Sequence, residues 1–476
     1  MTDPIPLMVP GAQATGTSEI DAPWDGTRLA TVETAGVDAV EQALTTARSL
    51  ADDPSRRIPL PERLAILDAV AVRMKTERES LALEAAREGG KPLADSLVEV
   101  DRAIDGVRLC MESIRTQAGI EIPMGINAAS RGRLAFTQHE PIGVVLAFSA
   151  FNHPLNLIVH QVGPAVAVGC PVIVKPAEAT PLSCLRFVKM LHDAGLPAEW
   201  CQALVTENHD ASGKLVADSR INFFTFIGSA KVGWMLRSKI APGVRCALEH
   251  GGAAPVLIAA DADLDAAIPL LAKGAFYHAG QVCVSVQRVF CHESIAEDVT
   301  RRLVDAATAL RVGDPAHPDT QVGPLIREAE VTRVGEWVSD SGGDVRCGGA
   351  ALSPRAYAPT VLFNPSPDAK VSTEEIFGPV LCVYPVADLD EGIRRANSVP
   401  FSFQASVFGR DLDTLLRATR RLSAATVMVN DHTAFRVDWM PFAGHKVSGL
   451  GIGGIGYTMR DMQVEKLVVV RSPELG

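Results

Sequence analysis

The sequence has no excess of basic residues, and this absence narrows the classes of partner. Its 45 lysines and arginines are outnumbered by 56 aspartates and glutamates, which gives a formal net charge of −11. A nucleic-acid groove needs a basic surface, so the balance argues against DNA or RNA as a partner. We expect no nucleic-acid partner.

Long apolar runs are also absent. No run approaches the roughly 18 residues that a bilayer-spanning helix requires, so we expect no membrane partner. The first residues, Met1-Thr2-Asp3-Pro4, lack the basic region and the long apolar core of a secretory signal. These absences predict a cytoplasmic location.

Paired cysteines are missing as well. The nine cysteines are odd in number, lie far apart and include no C-x-x-C pair. This pattern fits neither a disulfide framework nor a zinc site, and it favours a reducing compartment. We therefore expect no metal, and a cysteine with a function is expected to act as a thiol.

What the sequence has is length and apolar content. A chain of 476 residues is too long for one core, so two or three domains are expected. Hydrophobic residues make up 47% and charged residues 21%, which argues against disorder. No internal repeat or low-complexity tract is present.

Strand and helix patterns alternate in two stretches of the chain. The first places strands at residues 143–148, 172–174 and 221–227, with a helix at 155–168. The second begins after Glu249, with a strand at 256–258, a helix at 264–279 and a strand at 380–386. Alternation of this kind predicts parallel sheets covered on both faces. The predicted fold class is α/β, with two doubly wound parallel-sheet domains.

Residues 117–138 break this alternation with a β-ribbon pattern, and residues 465–470 form a lone strand pattern near the end of the chain. That strand is expected to pair with the ribbon or with another subunit. The predicted domains are residues 1–116 with 139–248, residues 249–440, and a small β-ribbon domain of residues 117–138 with 456–476.

Cys283 lies in Gly280-Gln281-Val282-Cys283, between the predicted helix and a β-branched run. A thiol on such a turn has free backbone N–H groups beside it, and a polarised thiol is a strong nucleophile. Most cysteines of this type are small buried hydrophobes, so the position alone leaves both interpretations open.

Other side chains follow predicted strands, where α/β sheets bind ligands. Gly228 and Ser229 open a helix whose N–H groups can hold a phosphate, or form an ordinary turn. Lys175 and Glu178 either form hydrogen bonds with sugar hydroxyls or form a solvated ion pair. The Asn152 amide could donate to an oxyanion or could cap a helix. Glu249 could act as a general base or could belong to a surface turn. By contrast, residues 449–454 match G-x-G-x-x-G but open no βαβ helix, so a glycine-rich loop is predicted there.

The ordered motifs together resemble the aldehyde dehydrogenase superfamily over residues 20–470. The motifs are Phe151-Asn152-His153-Pro154-Leu155, Lys175-Pro176-Ala177-Glu178, Phe226-Ile227-Gly228-Ser229, Leu248-Glu249-His250-Gly251-Gly252, Gly280-Gln281-Val282-Cys283, Glu374-Glu375-Ile376-Phe377-Gly378-Pro379-Val380 and Pro441-Phe442-Ala443-Gly444. Two departures are His250, where an apolar residue is usual, and Ala443, where a glycine is usual.

The resemblance implies a catalytic set. Cys283 is the nucleophile that forms a thiohemiacetal and then a thioester, Asn152 holds the oxyanion, and Glu249 activates water. It also implies an NAD(P)-binding domain, a catalytic domain and an oligomerisation domain made from the ribbon and the last strand. A homodimer or homotetramer is expected.

The resemblance assigns cofactor residues too. Lys175 and Glu178 match the residues that hold the adenosine ribose, and Gly228 and Ser229 match the pyrophosphate turn. Glu375 and Phe377 match the residues that orient the nicotinamide ribose and ring. The carboxylate of Glu178 repels a 2′-phosphate, so NAD is expected rather than NADP.

Residues 435–444 and 152–160 resemble the branch of the family that includes phosphonoacetaldehyde and lactaldehyde dehydrogenases. The substrate expectation is therefore a small polar aldehyde, with anionic phosphonoacetaldehyde as the named guess. Arg102 matches the position of an anion-binding arginine, and His160 can assist it. The helical pattern alone places Arg102 opposite the apolar stripe, as a solvated charge. Some acid-accepting relatives have an arginine before the cysteine, where this chain has Val282, so one cationic contact is expected to be missing.

Several alternatives stay open. Neutral small aldehydes such as lactaldehyde or a glyceraldehyde are one. A coenzyme-A-acylating semialdehyde dehydrogenase is another, although retention of Glu249 favours hydrolysis to a free acid. An inactive NAD-binding homologue is a third. A cysteine hydrolase, the fourth, needs a histidine partner for Cys283, for which His278 and His292 are near in sequence.

Overall fold

The computed structural model describes residues 3–475. In chain order, its α-helices are α1 (Val37–Asp52), α2 (Leu60–Thr76), α3 (Arg78–Gly89), α4 (Leu93–Thr116), α5 (Asn156–Val168), α6 (Leu182–Asp193), α7 (His209–Ala217), α8 (Ala230–Arg237), α9 (Leu264–Phe276), α10 (Glu293–Thr308), α11 (Glu328–Ser339), α12 (Lys370–Thr373), α13 (Leu389–Ala396), α14 (Leu412–Arg421) and α15 (Ile455–Asp461). Its β-strands are β1 (Gly16–Asp21), β2 (Arg28–Ala35), β3 (Glu121–Ile122), β4 (Arg133–Pro141), β5 (Val145–Phe148), β6 (Val172–Lys175), β7 (Cys201–Ala203), β8 (Val205–Thr206), β9 (Phe223–Ile227), β10 (Arg245–Glu249), β11 (Ala254–Ile258), β12 (Val286–His292), β13 (Asp344–Cys347), β14 (Ala351–Ser353), β15 (Ala356–Tyr357), β16 (Thr360–Phe363), β17 (Val380–Val386), β18 (Phe401–Ser402), β19 (Gln404–Phe408), β20 (Thr426–Val429), β21 (His445–Lys446), β22 (Gly449–Leu450) and β23 (Gln463–Arg471).

The first large sheet has six strands in the order β22-β10-β9-β5-β6-β7. Its strands run parallel except β22, which is antiparallel to β10. Along β5, Val145 and Ala147 pack into one hydrophobic cluster, whereas Leu146 and Phe148 pack into another on the opposite face. Both faces of the sheet are therefore buried, which explains why the strands read as continuous apolar runs.

The second large sheet has seven strands in the order β13-β16-β17-β12-β11-β19-β20. All pairs are parallel except β13 with β16 at one edge. A separate hydrophobic cluster surrounds this sheet and includes helices α9 and α10. The two parallel sheets with helices on their faces confirm the predicted α/β fold class.

A third, three-stranded sheet has the order β23-β4-β3. The last strand, β23, pairs antiparallel with β4 from Gln463↔Pro141 to Arg471↔Arg133. The predicted lone strand at the end of the chain thus pairs with the ribbon within the same chain. Strand β4 continues to Pro141, three residues beyond residue 138, because its ladder with β23 is unbroken.

The predicted helix at residues 264–279 ends earlier in the structure, at Phe276. Residues Tyr277–Gly280 form a tight turn, in which His278 and Ala279 have φ of 48° and 54°. Positive φ interrupts a right-handed helix, and this turn redirects the chain toward Cys283.

No helix within residues 3–475 combines the length and the apolar character that a bilayer crossing requires.

Candidate active site

Two turns and the end of one strand carry the predicted catalytic side chains. Asn152 lies in the turn after β5, and Glu249 is the last residue of β10, so both stand at the carboxyl edge of the six-stranded sheet. Cys283 lies in the turn before β12 of the seven-stranded sheet. The turns that hold these residues thus come from both large sheets.

A hydrogen bond joins two of these turns. The Asn152 side-chain amide donates to the Gln281 carbonyl over 2.9 Å, two residues before Cys283. Gln281 is itself fixed, because its Nε2 donates to the Pro324 carbonyl over 3.1 Å and its Oε1 accepts from the Ile326 N–H over 3.0 Å. An amide nitrogen has two N–H groups, so Asn152 keeps a second donor for a ligand.

The turn before Cys283 requires glycine at Gly280. Its φ is 70°, and a Cβ built there would overlap the carbonyl of Gly378. Glycine alone tolerates both conditions. The tight turn Tyr277–Gly280 therefore packs directly against the segment that carries Glu375 and Phe377.

Cys283 is a free, partly exposed thiol. It packs beside Val282, Val284, Phe403 and Phe442. Burial raises the pKa of the thiol to about 12, the charge of Arg436 opposes the rise, and Glu375 and Glu249 add to it. The resting thiol is thus protonated at neutral pH and needs help to become a nucleophile.

The carboxylate of Glu249 lies directly against the backbone of a glycine. Burial raises the pKa of its carboxyl above the usual value, and Arg436 opposes this rise. A Cβ built on Gly453 would overlap the Glu249 carboxylate. Gly453 belongs to residues 449–454, the discounted G-x-G-x-x-G match, in which Leu450 pairs with Leu248 of β10. This glycine-rich stretch thus lies against the carboxylate of Glu249, a predicted catalytic residue.

Four of the predicted cofactor residues line the same sheet edge. Lys175 ends β6, and its Nζ lies 3.4 Å from Glu178 and 5.5 Å from the centre of the Phe148 ring. Gly228 follows β9, and the Ser229 hydroxyl accepts from the Val232 N–H over 3.4 Å at the start of α8. A helix N-terminus with this orientation presents free N–H groups to an anion.

Glu375 and Phe377 approach from the seven-stranded sheet. Glu375 accepts from the Gly252 N–H over 3.2 Å, and burial raises the pKa of its carboxyl to about 8. A Cβ on Gly251 would overlap that carboxylate, which explains the glycine pair. Phe377, with φ of 48°, meets the Phe151 ring edge to face at 5.9 Å.

These residues suit a dinucleotide. The helix N-terminus at Ser229 suits a pyrophosphate, and the Glu178 carboxylate suits ribose hydroxyls. At the end of β5, the Ser149 hydroxyl is buried without a hydrogen-bond partner among the described residues. An orphaned donor at the ligand-binding edge of a parallel sheet is consistent with a group that binds there.

A second polar cluster includes Arg102, His160 and Asp438. Arg102 donates to Asp438 through Nη2 over 2.6 Å and Nε over 3.0 Å, and His160 Nε2 lies 2.8 Å from the same carboxylate. Asp438 is 3% exposed and Arg102 is 23% exposed. The interpretation of Arg102 as a solvated surface charge was therefore wrong, because its partner lies 336 residues away and is invisible to a helical pattern.

Arg436 is the residue that the sequence reasoning missed. Its guanidinium stacks 3.6 Å from the centre of the Phe442 ring, and its Nη2 lies 3.5 Å from His160 Nδ1. Although Val282 replaces the arginine of some relatives, Arg436 supplies a cation beside Cys283. No local pattern marks this arginine, because its place beside Cys283 depends on contacts between distant segments.

Neither histidine proposed for a cysteine hydrolase contacts the thiol. His292 is at the far end of β12 from Cys283, where it caps α10 through Ser294. His278 is fully buried, and both its ring nitrogens lack hydrogen-bond partners among the described residues. The geometry therefore gives no cysteine–histidine dyad.

His250, which departs from the family pattern, is a packing residue with one bound nitrogen. Its Nδ1 donates to the Val447 carbonyl over 2.9 Å, and its ring packs edge to face against Phe226 and Trp234. A Cβ on Gly233 would overlap this ring. The histidine thus fills the space that an apolar side chain would occupy.

Comparison with known proteins identifies the family to which this chain is similar. The model of the aldehyde dehydrogenase family matches residues 9–468. A 3-sulfolactaldehyde dehydrogenase from Priestia aryabhattai is 35% identical over 445 residues, which cover 93% of this chain and 92% of that protein.

Solved structures agree in fold over the whole chain. Aldehyde dehydrogenase 21 from Physcomitrella patens, in complex with the reaction product succinate, has a TM-score of 0.94 and 32% identity, covering 99% of both chains. A glyceraldehyde-3-phosphate dehydrogenase from Methanocaldococcus jannaschii, complexed with NADP, has a TM-score of 0.91 and 31% identity, covering 97% of this chain and 100% of that one. With the family model spanning both sheets and the turns of Asn152, Glu249 and Cys283, this chain belongs to the aldehyde dehydrogenase family and is an NAD(P)-dependent aldehyde dehydrogenase.

Proposed function

We propose that the enzyme oxidises a small aldehyde bearing an anionic group to the carboxylic acid, with NAD as the cofactor. The observation that supports an anionic group on the substrate is the cluster of Arg102, His160, Asp438 and Arg436. The positive charge of Arg436 opposes the rise in the pKa of both Cys283 and Glu249, so this cation lies near both side chains. Arg436 Nε is buried without a hydrogen-bond partner among the described residues, so a donor remains for an anionic tail.

The proposed chemistry begins at Cys283. The Cys283 thiol gives its proton to water, and the thiolate attacks the aldehyde carbon. The developing oxyanion accepts hydrogen bonds from the free N–H of Asn152 and from the Cys283 backbone N–H. The charge of Arg436 favours the thiolate over the buried thiol. NAD held by Lys175, Glu178 and the turn at Ser229 would supply the hydride acceptor for this oxidation.

Glu249 acts as the base in the step that releases the acid. Collapse of the thiohemiacetal leaves a thioester on Cys283, and Glu249 takes a proton from the water that attacks it. The raised pKa of the Glu249 carboxyl suits a base, because a stronger base removes the proton more readily. This role supports hydrolysis rather than transfer of the acyl group to coenzyme A.

Phosphonoacetaldehyde remains the named candidate, beside carboxylated and sulfonated aldehydes. Two similar proteins support an acidic group, since one is named for 3-sulfolactaldehyde and another was solved with succinate. A dehydrogenase for neutral aldehydes is the alternative. Neutral lactaldehyde and propanal are therefore included in the test.

The experiment is a panel of aldehydes assayed by NADH formation, with wild type and Arg436→Met. Removal of the guanidinium should lower kcat/KM for propanal through the lost support of the Cys283 thiolate. For anionic aldehydes it should lower kcat/KM by about 100-fold more, the cost of losing a buried charge-assisted contact. Arg346→Met, which removes a distant arginine, is the control. Equal losses for charged and neutral aldehydes would contradict the anionic assignment.

The cofactor preference for NAD is proposed from charge. Glu178 is an exposed carboxylate at the sheet edge, 57% exposed and paired with Lys175. A 2′-phosphate beside it would meet like charge. Since similar structures bind NADP as well, parallel assays with NAD and NADP decide this point.

A homo-oligomer is also proposed. Strand β23 is an edge of its sheet and exposes Leu467, Val469 and Val470, each more than 40% exposed. An apolar edge strand of this kind favours association. Light scattering of the wild type and of Val469→Lys tests this, with a shift toward monomer expected in the variant; a monomeric wild type would contradict it.

A further inference from the structure

The turn of Cys283 and the turn after β5 are hydrogen bonded to one another through side chains. Between residues 149–155 and 277–283, both within the described chain, no main-chain hydrogen bond is formed. The Asn152 amide donates to the Gln281 carbonyl over 2.9 Å. A second bond joins His153 Nε2 to the Tyr277 hydroxyl over 3.0 Å. The position of the thiol relative to the Asn152 amide therefore depends on side-chain bonds.

Tyr277 begins a turn with an unfavourable backbone conformation. The next three residues, His278, Ala279 and Gly280, have left-handed φ of 48°, 54° and 70°. Left-handed φ is unfavourable for histidine and alanine, and it persists only where the surrounding structure fixes it. Gln281 closes the turn from within, because its Nε2 donates to the His278 carbonyl over 3.3 Å. The bond of Tyr277 attaches the start of this turn to the segment that follows β5.

The bond between Tyr277 and His153 joins two neutral groups. Burial raises the pKa of the Tyr277 hydroxyl well above its usual value, and the charges of Asp95 and Glu99 add to the rise. Burial also lowers the pKa of His153 well below its usual value, and the charge of Lys91 adds to the fall. The hydroxyl therefore keeps its proton, and the imidazole is neutral at neutral pH. A neutral pair contributes geometry rather than charge to the reaction.

The aromatic rings around this bond pack against one another. The His278 ring lies 6.5 Å from the Phe151 ring and 6.4 Å from the His153 ring, measured between centroids. The Tyr277 ring lies 5.9 Å from the His153 ring and packs against the same apolar cluster as Cys283. A phenylalanine at position 277 would keep these ring contacts and remove the hydroxyl alone.

We propose that Tyr277 is a positioning residue for the oxyanion donor. Its hydroxyl, bound to His153, holds the two turns at the spacing from which the Asn152 amide reaches the substrate oxygen. This inference rests on the proposed roles of Asn152 and Cys283. His153 follows Asn152 directly, so a shift of the His153 ring also shifts the donor. A displacement of about 1 Å in such a site can lower a rate about 100-fold.

The test is a double-mutant cycle of Tyr277→Phe and Asn152→Ala. The measured quantity is the rate of NADH formation in a single turnover at saturating NAD and propanal, because this rate does not depend on release of the acid. Tyr277→Phe alone should lower the rate about tenfold and leave the half-saturating aldehyde concentration within about twofold. In the Asn152→Ala background it should lower the rate by no more than about twofold, because the donor that it positions is gone.

A second cycle tests the hydrogen bond itself. His153→Phe removes the other partner and keeps an aromatic ring. It should lower the single-turnover rate by the same factor as Tyr277→Phe, and the two substitutions together should cost no more than either one. Losses that multiply in the double variant would overturn the bond as the cause.

Tyr384→Phe is the matched control. It also removes one buried hydroxyl, which lies 2.7 Å from the Ser372 hydroxyl and belongs to β17. Its single-turnover rate should stay within about twofold of wild type, since it lies outside the site. Thermal unfolding establishes that each variant is folded.

Two outcomes separate this inference from the function on which it rests. An equal loss from Tyr277→Phe with and without the Asn152 amide would overturn the positioning role, because the hydroxyl would then act independently of that donor. A wild-type rate in Asn152→Ala alone would instead contradict the proposed oxyanion role of Asn152.

Discussion

The side-chain amide of Asn152 is hydrogen bonded to the main chain of Gln281 at 2.9 Å, and this bond connects the turn after β5 to the turn that carries Cys283. The two turns belong to different sheets, so the bond fixes the donor and the nucleophile relative to one another. Preorganisation of this kind is what an oxyanion site needs, because the donors then pay no reorganisation cost during the reaction.

Replacement of Asn152 by alanine should lower kcat by about 100- to 1,000-fold, the range for loss of one oxyanion donor. Steady-state NADH formation measures the loss. Asn208→Ala is the matched control, since Asn208 caps α7 through the Ala211 N–H at 2.9 Å and lies outside the site. The control should cost stability of about 1 kcal/mol and leave kcat unchanged. A kcat for Asn152→Ala near that of the control would contradict the oxyanion role.

Gly453→Ala should slow release of the acid. The added Cβ would overlap the Glu249 carboxylate and displace the proposed base. We expect a fall in kcat of at least about tenfold and a pre-steady-state burst of NADH, because thioester formation does not need the base. Gly213→Ala, in a helix with open space around it, is the control. A Gly453→Ala variant with wild-type kcat and no burst would contradict the expectation that the added Cβ displaces Glu249 and slows hydrolysis.

Glu178→Gln should weaken the preference for NAD. The exposed carboxylate is removed and the amide keeps its shape, so kcat/KM for NADP should rise about tenfold relative to NAD. Glu199→Gln, an acid outside the site, serves as the control. An unchanged ratio in Glu178→Gln would mean that another residue sets the cofactor preference.

The buried pair of Lys91 and Glu99 should be important for stability. Both side chains are fully buried, and Glu99 Oε1 also accepts from the N–H groups of Leu155 and Asn156 at 2.9 and 3.0 Å. Lys91→Met leaves an uncompensated buried carboxylate, so the free energy of unfolding should fall by about 3–5 kcal/mol. Denaturant unfolding measures this change.

Arg48→Met is the control for that pair. Arg48 forms an exposed ion pair with Asp52 along α1. Its loss should change the free energy of unfolding by no more than about 0.5 kcal/mol. Equal effects of the two substitutions would contradict the assignment of Lys91 as a buried structural charge.

Periodicity and β-branched runs predicted several strands of both large sheets. Residues 380–386 form β17 as predicted, and the predicted strands at 143–148, 172–174 and 221–227 correspond to β5, β6 and β9 of the six-stranded sheet. Strands buried on both faces have an apolar pattern that is independent of distant contacts. The return of β23 to β4 was one of two predicted options, because strand pairing depends on contacts that a local pattern does not contain.

Side-chain partners across the chain were not predictable in the same way. The helical pattern of α4 placed Arg102 on the solvent side, yet its partner Asp438 comes from the C-terminal segment. Arg436 was missed for the same reason, since its place beside Cys283 depends on the stacking with Phe442. The positive φ of His278 was also hidden, because neither histidine nor alanine marks a left-handed turn as glycine does.

The most direct test of the account is the mass of intact Glu249→Gln after one addition of NAD and a preferred aldehyde. If Cys283 forms the thioester and Glu249 is needed only to hydrolyse it, this variant should give a single burst of NADH. The protein should then be heavier by the mass of the acyl group. Cys283→Ala should show neither signal, and wild type should turn over freely. Multiple turnovers at the wild-type rate by Glu249→Gln, with no acyl adduct, would contradict the assignment of these residues.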